Sequence, residues 1–252
     1  MQTSVLTAIP NGVEIAYRRV EPRVPTHPTP IALVHGMGGD SRTWDGVARS
    51  LARQGRTVIA VDLRGHGRSA RAPSYRFGDL AQDVAGLCEH LGLEQVDLVG
   101  HSLGGVTASL VAQQRSDLVR RLVLEEMPVP LQAGDPAPVV PRHRPSRTEL
   151  WNAATGLLRN PRGVLAFDRA LTDPAMSQFQ SPNPQWWEGL PKLQAPTLFL
   201  RGARPGSMVD PRLLADMTAT VERITVRDFD CGHSIHRDRS REFRAAVEQF
   251  LA

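Results

Sequence analysis

Short, mostly apolar runs alternate along this chain with longer stretches whose apolar positions recur every three or four residues. The runs fall at residues 31–34, 57–61, 96–99, 122–124, 197–200 and 223–226. They are short, rich in Val, Ile and Leu, and bounded by Gly, Pro or charged residues, as expected for strands buried on both faces of a parallel sheet. Helical spacing fills the intervals. It spans residues 44–54, then 75–91 (Phe77, Leu80, Val84, Leu87, Leu91), with Gly92 as a C-terminal stop. It returns over 106–112, over 211–217 with Pro211 in the first turn, and over the amphipathic stretch 240–251. Two further strands, 4–9 and 13–19, flank Asn11-Gly12, a dipeptide suited to the positive φ angles of a tight turn. Four prolines between residues 21 and 30 mark an extended surface connection. The alternation predicts an α/β fold: a mostly parallel sheet covered by helices on both faces.

One stretch breaks the pattern. Residues 129–190 are rich in Pro, Arg and Trp and contain no β-like run; short helices are expected at 148–158 and 162–171. A structureless loop of roughly 60 residues is rare in a compact domain. The expected organisation is therefore a core of residues 1–128 and 191–252 with a small helical cap, 129–190, inserted after the sixth strand. Trp151, Phe167, Phe179, Trp186 and Trp187 would form its apolar underside. No internal repeat is visible.

Candidate chemistry gathers where predicted strands end. Gly100-His101-Ser102-Leu103-Gly104-Gly105 sits between a strand and a helix of small residues. That context turns a G-x-S-x-G pattern into a nucleophile hypothesis for Ser102, because a reactive hydroxyl must stand on a sharp turn and the glycines let backbones close around it. The N–H of Leu103, one residue on, opens a helix and can face a developing oxyanion. The plainer alternative is a glycine-rich turn with an inert Ser. His35, Ser102, Glu126 and His233 all lie just past predicted strand ends, so an α/β sheet can bring them together. His233 is the expected base, since a hydroxyl is a poor nucleophile until an imidazole takes its proton. His236 competes for the role and is otherwise a packing or capping residue. His66, in the loop 62–69 whose Asp62 and Arg64 are expected to hold the backbone, reads as a loop or pocket-rim residue.

Composition narrows the partners. The 252 residues carry a net charge of +4, and Lys192 is the only lysine, so the estimated pI of 9.8 reflects scattered arginines rather than a nucleic-acid footprint. Arg142, His143, Arg144 and Arg147 form the densest basic group and read as a solvated loop. Cys88 and Cys231 lie in no metal-like spacing and suggest no disulfide framework. Cys88 is expected to be a buried reduced thiol; Cys231 precedes His233 by two residues and falls near the candidate site. No secretion signal or membrane-length apolar run is evident, so a cytoplasmic protein is expected, with a small-molecule substrate and no cofactor or metal. Oligomeric state is not legible.

These pieces resemble the α/β-hydrolase superfamily. The resemblance rests on His35-Gly36 with its glycine-rich tail, Asp62-Leu63-Arg64-Gly65-His66-Gly67-Arg68-Ser69, the Gly100–Gly105 stretch, and Gly232-His233 before the last helix, all in the family's order. It implies a Ser nucleophile, an acid and a His base in that chain order, and a second oxyanion donor from the loop after residue 34, with the Met37 N–H as candidate. The family's usual acid follows the strand at 197–200, but Arg201-Gly202-Ala203-Arg204-Pro205-Gly206-Ser207 holds no carboxylate. Some members carry the acid one strand earlier, which favours Glu126; Glu125 and Asp210 are the alternatives. The implied activity is a serine hydrolase cleaving an ester-like bond (carboxylester, lactone or thioester) through an acyl-enzyme on Ser102. An acyltransferase or cyclase with the same triad, or a non-catalytic small-molecule-binding protein of this fold, are the alternatives. Ser rather than Asp at position 102 argues against the epoxide-hydrolase and dehalogenase branches.

Overall fold

The computed structural model describes residues 1–136, 150–151, 154–155 and 166–252. One sheet of eight strands organises them, in the order β1-β2-β4-β3-β5-β6-β7-β8. β1 (Gln2–Ala8) and β2 (Ile15–Glu21) are antiparallel, and β2 runs antiparallel to β4 (Val58–Val61). The remainder is parallel: β3 (Ile31–Val34), β4, β5 (Val96–His101), β6 (Val119–Glu125), β7 (Thr197–Gly202) and β8 (Ile224–Phe229). The β1–β2 link is a 3₁₀ turn, Pro10–Gly12, rather than a two-residue hairpin. Asn11 and Gly12 do adopt positive φ there, 51° and 75°.

Side chains of successive strand residues point to opposite faces, and this period of two splits the core into two layers. Ala32, Val34, Leu98, Leu122, Leu124 and Phe199 pack with α2 (Phe77–His90), α3 (Leu103–Gln114) and α6 (Pro211–Thr220). Ile31, Leu33, Val99, Val123, Leu198 and Leu200 pack with α1 (Asp45–Arg53), α7 (Ile235–Asp238) and α8 (Ser240–Leu251) on the other side. Parallel strands all end at one edge, so the turns after β3, β5 and β6 and the segment after β8 open at the same end of the molecule. The loop after β4 is braced as expected. Asp62 accepts hydrogen bonds from the Ser41 and Arg68 N–H groups at 2.6 and 3.0 Å, and Arg64 forks onto Asp83 of α2 at 2.6 and 2.8 Å.

Within 129–190 the described residues form α4 (Thr172–Gln180) and α5 (Pro184–Gly189). Most of the helix expected at 148–158, residues 162–165 of that expected at 162–171, and the basic group Arg142, His143, Arg144 and Arg147 lie outside the described residues; the described part of the second is not an α-helix but a turn at 166–168 leading into the 3₁₀ turn Arg169–Leu171. The aromatics expected to pack beneath a cap divide. Trp186 is buried on α3, its Nε1–H donating to Ser109 Oγ at 2.9 Å; Trp187 donates to the Pro130 carbonyl, and Phe179 stacks on Phe77. Trp151 instead stands 70 % exposed. No helix among the described residues is long and apolar enough to cross a membrane.

Candidate active site

Ser102 occupies the bend between β5 and α3 with φ 52° and ψ −116°. A non-glycine residue in such a region costs about 1–3 kcal/mol and persists only where its surroundings enforce it. The enforcement is visible. A Cβ on Gly100 would strike the Gly104 carbonyl, and one on Gly104 would strike the carbonyls of Val34 and His35, so only glycines let β5, α3 and β3 meet this closely. The Ser102 N–H donates to the Glu125 carbonyl at 2.9 Å, which ties the bend to β6. Ser102 keeps 7 % exposure, and its hydroxyl is not among the sealed polar atoms that lack a partner. Leu103, as the first residue of α3, has no intrahelical acceptor for its N–H. The loop carrying Met37 lies across the bend: a Cβ on Gly36 would sit 3.1 Å from Ser102 Cβ. Among the described residues no main-chain carbonyl takes the Met37 N–H.

The three candidate acids differ in their surroundings. Glu126 is fully buried, with φ 47°, and its Oε2 lies 3.2 Å from His233 Nδ1. Three further donors hold the carboxylate: the Gly202 N–H at 2.6 Å, the Ser207 hydroxyl at 2.8 Å and the Met208 N–H at 3.0 Å. The segment 202–208 at the end of β7, which holds no carboxylate of its own, thus supplies the seat for one reaching in from the end of β6. Asp210 is occupied elsewhere, capping α6 through the Arg212 and Leu213 N–H groups. His35 also does not join the site chemically: its Nδ1–H donates to the Gly36 carbonyl at 2.8 Å and its Nε2 accepts the Leu63 N–H at 3.1 Å, bracing the two loops.

Glu125 belongs to a second acid–imidazole pair that residue patterns did not reveal. Its carboxylate accepts the His236 backbone N–H at 2.8 Å and sits 2.8 and 2.9 Å from His236 Nδ1. His236 is thus a packed partner of Glu125, with its ring 4.6 Å from that of Trp44. The Glu-Glu doublet matched to His-x-x-His was the available signal. Burial pushes the Glu125 carboxyl up and holds the His101 and His236 imidazoles well below their usual range. His101, Glu125 and His236 bring ligand-type atoms within 4.8 Å of one another. A zinc ion bonded to two of them at about 2.1 Å in tetrahedral geometry would separate them by about 3.4 Å. The 2.8 Å contact between His236 and Glu125 fits a hydrogen bond instead.

His66 lies in the loop 62–69, one of the two positions expected of it, but not on an open rim. It is fully buried between His35 and Phe167, each ring 4.9 Å away, and its Nδ1–H donates to the Arg64 carbonyl. Burial, and after it His35, push this imidazole down from 6.5 to about 3. Between those values the unfolded chain binds a proton that the fold excludes, so stability falls as pH drops through the window. Between about pH 6 and pH 4 the wild type should lose about 1.4 kcal/mol more per pH unit than His66→Asn, which keeps a donor and does not titrate. Urea unfolding across that range measures it; parallel slopes would refute it. Cys88 and Cys231 are both buried, which pushes each thiol up to about 12.

Comparison with known proteins agrees with this architecture. The family model for the α/β-hydrolase fold matches residues 29–145. The sn-1-specific diacylglycerol lipase ABHD11 of Mus musculus is 28 % identical over 248 residues, spanning 88 % of this chain and 80 % of that protein. Among solved structures, an esterase from Exiguobacterium antarcticum superposes with a TM-score of 0.80 at 18 % identity, covering 98 % of both chains. The thioesterase domain from the curacin biosynthetic pathway gives 0.78 at 21 % identity, covering 98 % of this chain and all of that one. The chain has the α/β-hydrolase fold, and its match to that family model and to these relatives supports a hydrolase enzyme of the α/β-hydrolase superfamily.

Proposed function

We propose that this protein is a serine hydrolase that cleaves an ester-type bond of a small, partly apolar molecule through an acyl-enzyme on Ser102. The observation that carries this reading is the fourfold hold on Glu126. A carboxylate seated by three donors and facing His233 Nδ1 keeps that nitrogen protonated, leaving Nε2 as the free base. In the first half-reaction His233 Nε2 takes the Ser102 proton as Oγ attacks the substrate carbonyl carbon. The oxyanion forms against the Leu103 and Met37 N–H groups. As the tetrahedral adduct collapses, His233 passes the proton to the leaving group. In the second half-reaction the same imidazole deprotonates water, which attacks the acyl carbon and restores Ser102. No step calls for a metal or an organic cofactor.

Residues 129–190 are assigned as a cap that covers the acyl or alcohol group. The aromatic content of this segment and the names of the relatives, among them a lipase, an esterase and a thioesterase, favour an apolar portion in the substrate. Two free, buried cysteines agree with a cytoplasmic location. A fluorophosphonate probe tests the central claim. Native protein should be labelled once, on Ser102, as located by peptide mass spectrometry, and should hydrolyse short acyl esters. An active control esterase that labels while this protein does not would end the serine-hydrolase reading. Adding a competing alcohol and analysing the products separates hydrolysis from acyl transfer.

A further inference from the structure

The x of the G-x-S-x-G motif is His101, and nothing in the reaction above uses it. Alternation along β5 sends its side chain to the same face as Val99, towards α1 and α8. There it stands beside Glu125, its register partner on β6. His101 Nε2 lies 2.8 Å from the His233 carbonyl, so it donates to the main chain of the base itself. Its ring packs 4.8 Å from the His233 ring and 5.0 Å from that of His236. On the remaining side a Cβ on Gly36 would come within 2.7 Å of its Nδ1. One buried imidazole, on the residue that leads into Ser102, therefore touches the base, the loop that carries Met37, and His236. At the far end of the base segment, Glu125 grips the His236 backbone N–H. Residues 233–236 are thus pinned at both ends, from two adjacent strands.

We propose that His101 is a positioning residue: by donating Nε2–H to the His233 carbonyl it fixes the base over the nucleophile bend, with the Glu125–His236 pair securing the other end of the same segment. This deepens the serine-hydrolase reading and rests on it. The reason is geometric. His233 is partly exposed, follows the last strand, and has no regular secondary structure to define its backbone. A displacement of about 1 Å at such a group costs about 10²-fold in rate.

The test compares His101→Leu with His101→Gln. Leucine fills similar space but donates nothing, whereas the glutamine Nε2 reaches roughly where the imidazole Nε2 lies and restores the bond. With p-nitrophenyl butyrate, His101→Leu should lower kcat about 10²-fold while KM stays near the wild-type value. His101→Gln should recover most of the loss. Thermal unfolding verifies that both variants fold, and His101→Met replaces the leucine variant if that one does not. In parallel, proton NMR follows the downfield Nδ1–H signal of His233 against Glu126, assigned by its loss in His233→Gln. It should shift or broaden in His101→Leu and return in His101→Gln. This signal does not depend on turnover. If the wild type shows no Ser102-dependent hydrolysis, the proposed activity fails while the resonance still judges the role of His101. A folded His101→Leu with the wild-type resonance and wild-type kcat, whatever its melting temperature, would overturn the proposal; so would a glutamine variant that restores neither.

Discussion

Ser102→Ala is expected to lower kcat by up to about 10⁶-fold while leaving the fold in place. The size of the effect follows from what the hydroxyl does. With Oγ gone there is no acyl-enzyme, and Glu126 and His233 have no nucleophile to activate. What remains is whatever the oxyanion donors and substrate binding achieve with water, typically 10³–10⁴-fold above the uncatalysed rate. The stability side follows from conformation. Alanine at φ 52° bears the same backbone strain as serine, and the hydroxyl makes no hydrogen bond that holds the turn; the bend is held by the Ser102 N–H to Glu125 and by the Gly100–Gly104 approach. Steady-state kinetics beside a thermal melt measure both. Equal turnover in wild type and variant would remove Ser102 from the mechanism.

The second large effect separates two carboxylates. Glu126→Gln should cost about 10⁴-fold in kcat. An amide at this position can present its NH₂ to His233 Nδ1, which reverses the tautomer and puts the proton on Nε2, where the base must be free. It also sets an amide donor among the N–H groups of Gly202 and Met208, which need an acceptor. Asp210→Asn should leave turnover within about twofold. Its oxygen caps α6, a role asparagine fills almost equally well. Kinetics on the purified variants decide the order. The reverse ranking would return the acid to the loop after β7, where the family usually has it.

The core of the fold was legible because its signals are local. Buried parallel strands are apolar on both faces, so β3 and β4 stand out as Ile31–Val34 and Val58–Val61. The strand–turn–helix around Ser102 carries its own glycine requirement. Glu126 is the favoured of three carboxylates in the sequence but is not singled out there, because its seat depends on Gly202, Ser207 and Met208, more than seventy residues away, offering donors where a carboxylate was expected. The Glu125–His236 pair left only the faint signal of a Glu-Glu doublet matched to His-x-x-His, and the bond from His101 to the His233 carbonyl left none. They arise from the relative register of β5 and β6 and from the path of residues 233–236, neither of which has a periodic signature. The full burial of His66 was not legible for a related reason: the Phe167 that covers it lies a hundred positions on. The cap was inferred from a lack of pattern, and such an inference predicts that something intervenes without predicting its shape.

Two neighbouring acids with opposite clients have a consequence for how this strand can evolve. Glu125 turns towards the buried His236, and Glu126 turns the other way towards His233. Adding or deleting one residue within Val119–Glu125 would slide the doublet and hand each histidine the wrong carboxylate, even if the hydrophobic layers re-formed around it. Substitutions along β6 can be absorbed one at a time, but a change in its length cannot.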